Sequence, residues 1–207
     1  SNYYTVENYI VEITVSRLDI TVSVDGEITK VYDRQTNVVQ SLSLVSVLGE
    51  DNVTVSGAYE NAMPGEDKEV TFTLAGDDAD NYNLTNKAST GSITRATIVV
   101  SAVLDTEEGG FVDGADAVGT TTFEISYPLV GSAEEALAIL TAPSKTGYDF
   151  VGWTYGEGRD ALTAENIDSV LDGALDAKAL TIYADWNIQT FTVTVNVNAE
   201  QGSYTIS

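Results

Sequence analysis

The sequence predicts a mainly β protein with one α+β module, arranged as an elongated tandem of two domains. Runs in which apolar residues alternate with Ser, Thr or Glu recur along the chain, and a period of two is typical of half-buried strands. Helical patterns occur at residues 132–140 and 163–171. A chain of 207 residues is long enough for two ordinary domains, each with its own hydrophobic core.

The composition excludes several classes of function. The chain has no Cys and no His, which excludes disulfides, thiolate metal sites and Cys nucleophiles and removes the usual general base. Its 9 basic and 32 acidic residues give a net charge of −23, which repels phosphate backbones and anionic lipid headgroups. We therefore expect no cofactor, no nucleic-acid partner and no membrane insertion, since no apolar run approaches the ~20 residues that span a bilayer.

An internal repeat delimits the first module. Residues 17–24 resemble residues 95–102, and an Asn-Tyr pair precedes each segment at nearly the same spacing. Self-similarity at a near-constant spacing is typical of an array of modules. We therefore predict that residues 17–95 form one module and that residues 1–16 supply the terminal strand of a preceding repeat.

The first module is predicted to be a small β-sandwich. Residues 18–24 alternate up to the Asp25-Gly26 turn, which predicts a hairpin into residues 28–32. Further alternating runs lie at residues 42–48, 53–59 and 70–74. About six short strands of this kind form two facing sheets.

Two motifs in the first module carry a resemblance to a known family. The first is Lys30-Val-Tyr-Asp33 followed by Thr36, and the second is Leu74-Ala-Gly-Asp-Asp-Ala-Asp-Asn-Tyr82, closed by Ile93-Thr94. They resemble the YDG/MBG-type repeat of bacterial surface proteins, whose pattern is Lys-x-Tyr-Asp-Gly-Thr-Thr, then Leu-x-Gly-x-Asp-x-x-Asn-Tyr and an Ile-Thr strand. In this chain Arg34-Gln35 replaces the Gly and the first Thr.

Residues 96–187 are predicted to form the α+β module. Residues 97–104 and 121–127 alternate as strands, and the acidic, Gly-containing stretch 105–110 is the turn after the first of them. Strands before and after a helix that packs across one face of their sheet give an α+β fold.

Two short helices are predicted in this module. The first spans residues 132–140, with Ser132 as N-cap and Glu135 at the capping-box position, and Pro143 ends it. The second spans residues 163–171, where three apolar residues share one face and Gly173 follows as a stop.

Aromatic residues mark two strands near the end of this module. Residues 143–153 read Pro-Ser-Lys-Thr-Gly-Tyr-Asp-Phe-Val-Gly-Trp, and residues 180–186 read Leu-Thr-Ile-Tyr-Ala-Asp-Trp. The pair resembles the Listeria-Bacteroides repeat, the B-repeat of internalin-like surface proteins, and the resemblance implies a β-grasp, ubiquitin-like fold for residues 96–187. Residues 190–197 alternate again, so residues 188–207 are predicted to start a following repeat or to add a hairpin.

The acidic turn at residues 76–81 is a candidate calcium site. Asp77, Asp78 and Asp80 place carboxylate oxygens at close spacing, as calcium requires. The stretch lacks the spacing and the terminal Glu of an EF-hand loop. An Asx-type turn, in which Asp and Asn side chains bond the local backbone, is therefore the favoured interpretation.

A covalent cross-link between a Lys and an Asn or Asp beside a buried carboxylate is a second candidate. The candidate lysines are Lys30, Lys68 and Lys87, and the candidate partners are Asn52, Asn61 and Asn81. No spacing singles out a pair. A Lys on a strand faces solvent more often than the core, so solvent-facing lysines are the favoured interpretation.

Tyr155 is the candidate binding residue. Six aromatic side chains are candidates for a sugar-binding platform: Tyr148, Phe150, Trp153, Tyr155, Tyr183 and Trp186. Because aromatic residues dominate small cores, we predict that most of the six are buried. Tyr155, which lies beside Gly156 and Gly158, is the expected exception.

The sequence favours a non-catalytic, monomeric spacer of a bacterial cell-surface or secreted protein, whose partners are the neighbouring repeats of the same chain. We expect an extracellular location and expect the chain to be part of a longer exported protein. The alternative is an adhesive module that binds a host glycan or extracellular protein near Tyr155. A glycosidase that uses paired carboxylates is a third hypothesis, disfavoured because no motif accompanies the 32 acidic residues.

Overall fold

The computed structural model describes residues 14–104 and 120–194. The chain divides into two compact units, Ser1–Ala96 and Thr97–Ser207. Within the described residues, none of the helices has the length and apolar character needed to cross a bilayer.

Three predictions concern the parts of the chain that are not described. The terminal strand predicted in residues 1–16 lies outside the described residues except for its last three positions, and the turn at residues 105–110 lies wholly outside them. The strand predicted at residues 190–197 is described only to residue 194, and residues 190–194 are not part of a strand. The assignment of both chain ends to neighbouring repeats stays a prediction.

The described part of the first unit contains seven strands in two sheets. The strands are β1 (Leu18–Val24), β2 (Thr29–Val31), β3 (Leu42–Val45), β4 (Thr54–Tyr59), β5 (Gly65–Ala75), β6 (Tyr82–Leu84) and β7 (Ala88–Thr94), with a 3₁₀ turn at Ala79–Asn81. One sheet has the order β3-β1-β6 and the other the order β2-β7-β5-β4. The predicted strands are therefore confirmed, and they form two sheets.

Side chains from both sheets meet in one core. Ile20 of β1, Val70 and Phe72 of β5 and Ile93 of β7 are buried together. In β5 the buried residues alternate with exposed ones, which is the pattern of a strand with one face on a core. The unit is therefore a small β-sandwich, as predicted.

The hairpin predicted after Asp25-Gly26 is wrong. Gly26 does turn the chain, with φ of +84°, but β1 and β2 belong to different sheets. β2 instead pairs parallel to β7, and Asp25 N–H donates to the Ser41 carbonyl at 3.1 Å. A turn signal reports that the chain reverses direction. It does not report which strand the chain pairs with afterwards, because burial on either sheet satisfies the same alternation.

In the second unit, the residues that the structure describes form one five-stranded sheet and two helices. The elements are β8 (Ala96–Val103), β9 (Thr120–Tyr127), α1 (Ala133–Ile139), β10 (Tyr148–Tyr155), β11 (Asp160–Ala161), α2 (Ile167–Ala174) and β12 (Ala179–Ile188). The sheet order is β11-β10-β12-β8-β9. The central strands β8 and β12 are parallel, whereas β10 and β12 are antiparallel. This order, with the first and last of the described strands paired at the centre, is the β-grasp arrangement.

The helix α1 begins as predicted. The Ser132 hydroxyl accepts a hydrogen bond from Glu135 N–H at 3.2 Å, and the Glu135 carboxylate accepts one from Ser132 N–H at 2.8 Å. This reciprocal pair is the capping box that the sequence predicts. The predicted N-terminus of α1 is thus confirmed.

The helix α2 is displaced from its prediction. It begins at Ile167 rather than at residue 163, and Gly173 lies inside it rather than after it. The Asn166 side chain accepts from Thr163 N–H at 2.9 Å and donates to the Ala161 carbonyl at 2.8 Å, so it holds residues 163–166 in a turn. Burial of Ala174 and Leu175 extends the apolar face beyond Gly173.

An aromatic cluster fixes the centre of the second unit. Trp153 is 5% exposed and donates from Nε1 to the Leu140 carbonyl at 3.1 Å. The Phe150 ring lies edge-to-face with Trp153 and Trp186, at centroid distances of 5.1 and 5.6 Å. Trp186 is only half-buried. The two tryptophans therefore contribute unequally to this core.

Candidate functional site

An open groove in the second unit has a volume of about 690 Å³. It lies where β10 ends, between the side of α2 and the first residues of β12. We call it the β12 groove. Its volume falls within the usual range of roughly 300–1,000 Å³ for ligand-binding clefts.

Tyr155, the predicted binding residue, lies at this groove. It is the last residue of β10, it is half-buried, and its neighbour across the sheet is Ile182. A second tyrosine, Tyr183, also lines the groove, and the Arg159 guanidinium lies 3.5 Å from the centroid of its ring. That distance is typical of a cation–π contact. The groove therefore combines aromatic surface with one engaged cation.

The other aromatic candidates do not reach the groove. Phe150, Trp153 and Trp186 pack on one another, and Tyr148 has the Lys145 ammonium 3.6 Å from its ring centroid. Two of the six aromatic residues thus line the site. The prediction that most of the six are buried is wrong, because Trp153 is buried and the other five are half-buried. The contribution of α2 to the groove was not predicted. Small residues there leave room beside β12, and no sequence signal distinguishes that space from ordinary helix packing.

The acidic turn is tied to the protein backbone. The Asp78 carboxylate accepts from Asn52 N–H at 2.8 Å, Asp78 N–H donates to the Asn52 carbonyl at 3.2 Å, and the Asp77 carboxylate accepts from the Asn52 side chain at 3.4 Å. Asp80 lies instead 3.9 Å from Arg17. No group of three or more acidic side chains suited to a metal ion occurs among the described residues.

Gly76 lets this turn close. Its φ is +112°, and a Cβ at this position would lie 2.1 Å from the Asn52 carbonyl oxygen. Only glycine fits so close an approach. The Gly-Asp-Asp stretch of the second motif is therefore a structural turn that is hydrogen-bonded to Asn52.

One of the candidate lysine pairs is brought together. Lys68, whose side chain is 7% exposed, donates to the Asn61 side-chain oxygen at 2.7 Å and lies 3.5 Å from a Glu60 carboxylate oxygen. Asn61 and Glu60 are exposed. The expectation that the lysines face solvent is wrong for Lys68. The aliphatic part of its side chain lies on the buried face of β5, and its ammonium contacts Asn61 and Glu60 in the loop between β4 and β5.

Lys30 is the second buried lysine. Its side chain is 2% exposed, and its ammonium contacts the Asp33 carboxylate at 2.8 Å and the carbonyls of Gln35 and Asn37 at 3.2 Å each. Although burial by itself raises the pKa of Asp33, the hydrogen bonds from Lys30 and from Gln35 N–H hold this pKa below its ordinary value. Lys30 thus stabilises the loop that follows β2 through three contacts of its ammonium group.

The Lys-x-Tyr-Asp motif has a structural explanation at this loop. Lys30 and Asp33 are its ion pair, and the next residue, Arg34, has φ of +67°. This left-handed conformation favours glycine, which is the residue of the family pattern at this position.

The tyrosine of the second motif, Tyr82, makes two hydrogen bonds through its hydroxyl. The hydroxyl donates to the Asp51 carboxylate at 2.5 Å and accepts from Leu48 N–H at 3.0 Å. The bond to Asp51 raises the pKa of Tyr82.

Comparison with known families gives one match. Residues 16–91 match the YDG domain. A search of the curated proteins and a search of the solved structures each returned no significant match. The resemblance of residues 96–187 to the Listeria-Bacteroides repeat stays a prediction. The first unit therefore carries a match to the YDG domain, over the residues that form the Lys-x-Tyr-Asp loop and the Asn-Tyr turn.

Proposed function

We propose that this chain is a non-catalytic spacer that carries tensile load within a bacterial cell-surface or secreted protein. The observation that carries the proposal is the pairing of the first and last strands among the described residues of the second unit. The strands β8 and β12 lie side by side and parallel, in a continuous register from Ala179 opposite Val99 to Tyr183 opposite Val103.

Parallel pairing of terminal strands determines how tension acts. A force applied to the start of β8 and the end of β12 slides the two strands past each other, so it loads the hydrogen bonds of the ladder together. A force that separates the two strands at one end would load these bonds one after another. Because each backbone hydrogen bond contributes only about 1 kcal/mol net, simultaneous loading is what makes such a ladder resistant.

The ends of the first unit support the same proposal. Its first described strand, β1, lies parallel to β6, and its last described strand, β7, lies parallel to β2. Tension along the chain would therefore slide these terminal strands along their neighbours. The YDG match at residues 16–91 adds a second line of support, because the family that the first module resembles is a repeat of bacterial surface proteins.

Single-molecule force spectroscopy tests this function. The chain has no Cys, so two introduced cysteines give unique handles. We expect the pair Thr97→Cys and Ile188→Cys, which pulls β8 and β12 in shear, to unfold at a force several times higher than Thr97→Cys with Ala179→Cys, which peels the same strands apart. All three positions are exposed. Equal forces for the two geometries would refute a load-bearing role.

A second candidate function is binding at the β12 groove. It is favoured by the position of Tyr155 on a groove of about 690 Å³, and it corresponds to an adhesive module for a host glycan or an extracellular protein. The test is binding of the whole chain to a panel of glycans and matrix proteins at physiological ionic strength. We expect saturable binding that Tyr155→Ala weakens, and silence across the panel would remove this candidate.

A further inference from the structure

The floor of the β12 groove is an incomplete strand edge. The register between β10 and β12 ends at Tyr155 opposite Ile182, but β12 begins three residues earlier, at Ala179. From Ala179 to Thr181, β12 has β8 on one side. On the other side no strand of the described residues continues the line of β10. This short segment is therefore an open edge within the interior of the sheet.

Two hydrogen bonds fix which backbone groups face the groove. Val99 N–H donates to the Lys178 carbonyl at 3.0 Å, so the even-numbered residues that follow in β12 face β8. On the other side Leu162 N–H donates to the Trp153 carbonyl at 2.8 Å, so the backbone N–H and C=O of Trp153 point toward β11. Those of the next residue, Thr154, point toward Tyr183 of β12. Both observations place the odd-numbered residues of β12 toward the β10 side. The N–H of Thr181 and the C=O of Ala179 thus point into the groove.

The walls of the groove suit an apolar side chain. Val170 of α2, Leu180 of β12 and the Tyr155 ring line it. Gly173 of α2 also lines it, and a Cβ at Gly173 would meet no atom within 4 Å. The groove therefore has room beside the helix for a side chain that this chain does not supply there.

The charges around the groove favour a cationic ligand. Glu157 lies in its wall. The cation of the groove, Arg159, is stacked on Tyr183 at 3.5 Å. A net charge of −23 on the whole chain adds to the same field.

We propose that the β12 groove binds an extended peptide segment, in which an apolar residue is flanked by Lys or Arg, as an added strand beside Ala179–Thr181. Backbone hydrogen bonds to Thr181 and Ala179 supply affinity in this mode, and the pocket for alternate side chains supplies selectivity. The proposal rests on the binding function of the groove and is independent of the spacer function.

The experiment titrates the ¹⁵N-labelled whole chain with two synthetic peptides, Lys-Val-Thr-Val-Lys and its charge-reversed form Glu-Val-Thr-Val-Glu. We expect the basic peptide to shift the amide signals of Ala179, Thr181 and Gly173, with saturation. The acidic peptide is expected to bind at least about tenfold more weakly. Equal binding of both peptides, or shifts spread outside the groove, would overturn the proposal.

Two matched pairs of variants test the mode of binding. Gly173→Phe fills the groove and is expected to weaken binding about tenfold or more, whereas Gly173→Ala adds one methyl group and keeps the groove open. Neither change is expected to unfold α2, because a helical Gly is itself unfavourable relative to Ala. Thr181→Pro removes the N–H that points into the groove, and Thr181→Ala keeps it. Unchanged affinity in Gly173→Phe contradicts the assignment of the site.

A third titration separates failure of this inference from failure of the binding function. A neutral oligosaccharide, maltohexaose, is added to the same chain. If it shifts the groove amides while the peptides are silent, the peptide inference is wrong and the binding function stands. If all probes are silent, both are wrong. Shifts of the groove amides that depend only on protein concentration would assign the groove to a second copy of the chain and overturn the peptide inference.

Discussion

The two units bury different kinds of core. In the first unit, polar groups are part of it: Lys30 and Lys68 lie buried with carboxylate oxygens at 2.8 and 3.5 Å, and the buried Tyr82 bonds Asp51. The second unit also buries Lys145, over the Tyr148 ring at 3.6 Å, and Tyr127, which donates to Asp172 at 3.2 Å. Its centre, however, is Trp153, which packs on the Phe150 ring and donates to a backbone carbonyl. The stability of the first unit should therefore depend on hydrogen-bond and ion-pair partners and on pH. That of the second unit should depend on the volume of its buried side chains.

The largest effect is expected at Trp153. Trp153→Ala should lower the free energy of unfolding of the second unit by about 3–5 kcal/mol, because it empties the centre of a packed core. Trp186→Ala should cost less, about 1–2 kcal/mol, because the Trp186 side chain is half-buried. Both tryptophans of the chain lie in the second unit, so fluorescence of the remaining one reports its unfolding in denaturant. Equal losses would show that Trp186 is as central as Trp153.

A second effect should be confined to the first unit. Lys30→Met is expected to lower its free energy of unfolding by about 2–3 kcal/mol, because two loop carbonyls and the Asp33 carboxylate lose a charged donor. Lys87→Met is the matched control, since Lys87 is exposed and should cost less than about 0.5 kcal/mol. Far-UV circular dichroism should show the loss while Trp fluorescence does not move. A matching change in fluorescence would mean that the two cores are not independent.

The pH dependence sharpens the same contrast. The pKa of Asp33 is held below its ordinary value, so the folded state favours the ionised form. Its contribution to stability is fully present above the ordinary carboxyl pKa of about 3.9 and is lost as pH falls through the lowered pKa. Because the Asp33 side chain is 46% exposed, the effect should stay below about 1 kcal/mol. In Asp33→Asn, the free energy of unfolding should fall less steeply with decreasing pH than in the parent chain. An unchanged slope would show that Asp33 does not contribute to the acid dependence.

The smallest effect should be a gain. Arg34→Gly is expected to raise the free energy of unfolding of the first unit by about 0.5 kcal/mol, because relief of the left-handed backbone exceeds the extra entropy of Gly in the unfolded chain. Arg34→Ala, which keeps the strained backbone, is the control. A loss in Arg34→Gly would show that contacts of the Arg34 side chain outweigh the strain.

Much of the fold follows from local pattern. Alternation predicts the strands of both units, and Ser132 with Glu135 predicts the start of α1, because these signals depend on neighbours within a few residues. Strand pairing does not follow, as the failed hairpin after Gly26 shows, because it depends on which distant strand offers a free edge. The start of α2 was misplaced because the Asn166 side chain competes with the helix for the backbone.

The candidate sites show the same limit. Tyr155 was singled out from its glycine neighbours. The β12 groove, however, arises because the end of β10 reaches only to Ile182, three residues short of the start of its antiparallel partner β12, and only the sheet register reveals this. Lys68 and Asn61 were two candidates among several, and the hairpin between β4 and β5 brings them to 2.7 Å. Proximity of this kind depends on tertiary structure, which local sequence patterns do not specify.

The pairing of β8 with β12 also determines when the second unit can fold. The two strands lie at opposite ends of the unit, so its central ladder needs a contact across almost the full length of the module. Contacts between distant residues carry a large loop-closure entropy and slow the folding reaction. During synthesis, the unit therefore stays open until β12 has left the ribosome. Until then the sheet lacks its central pair of strands.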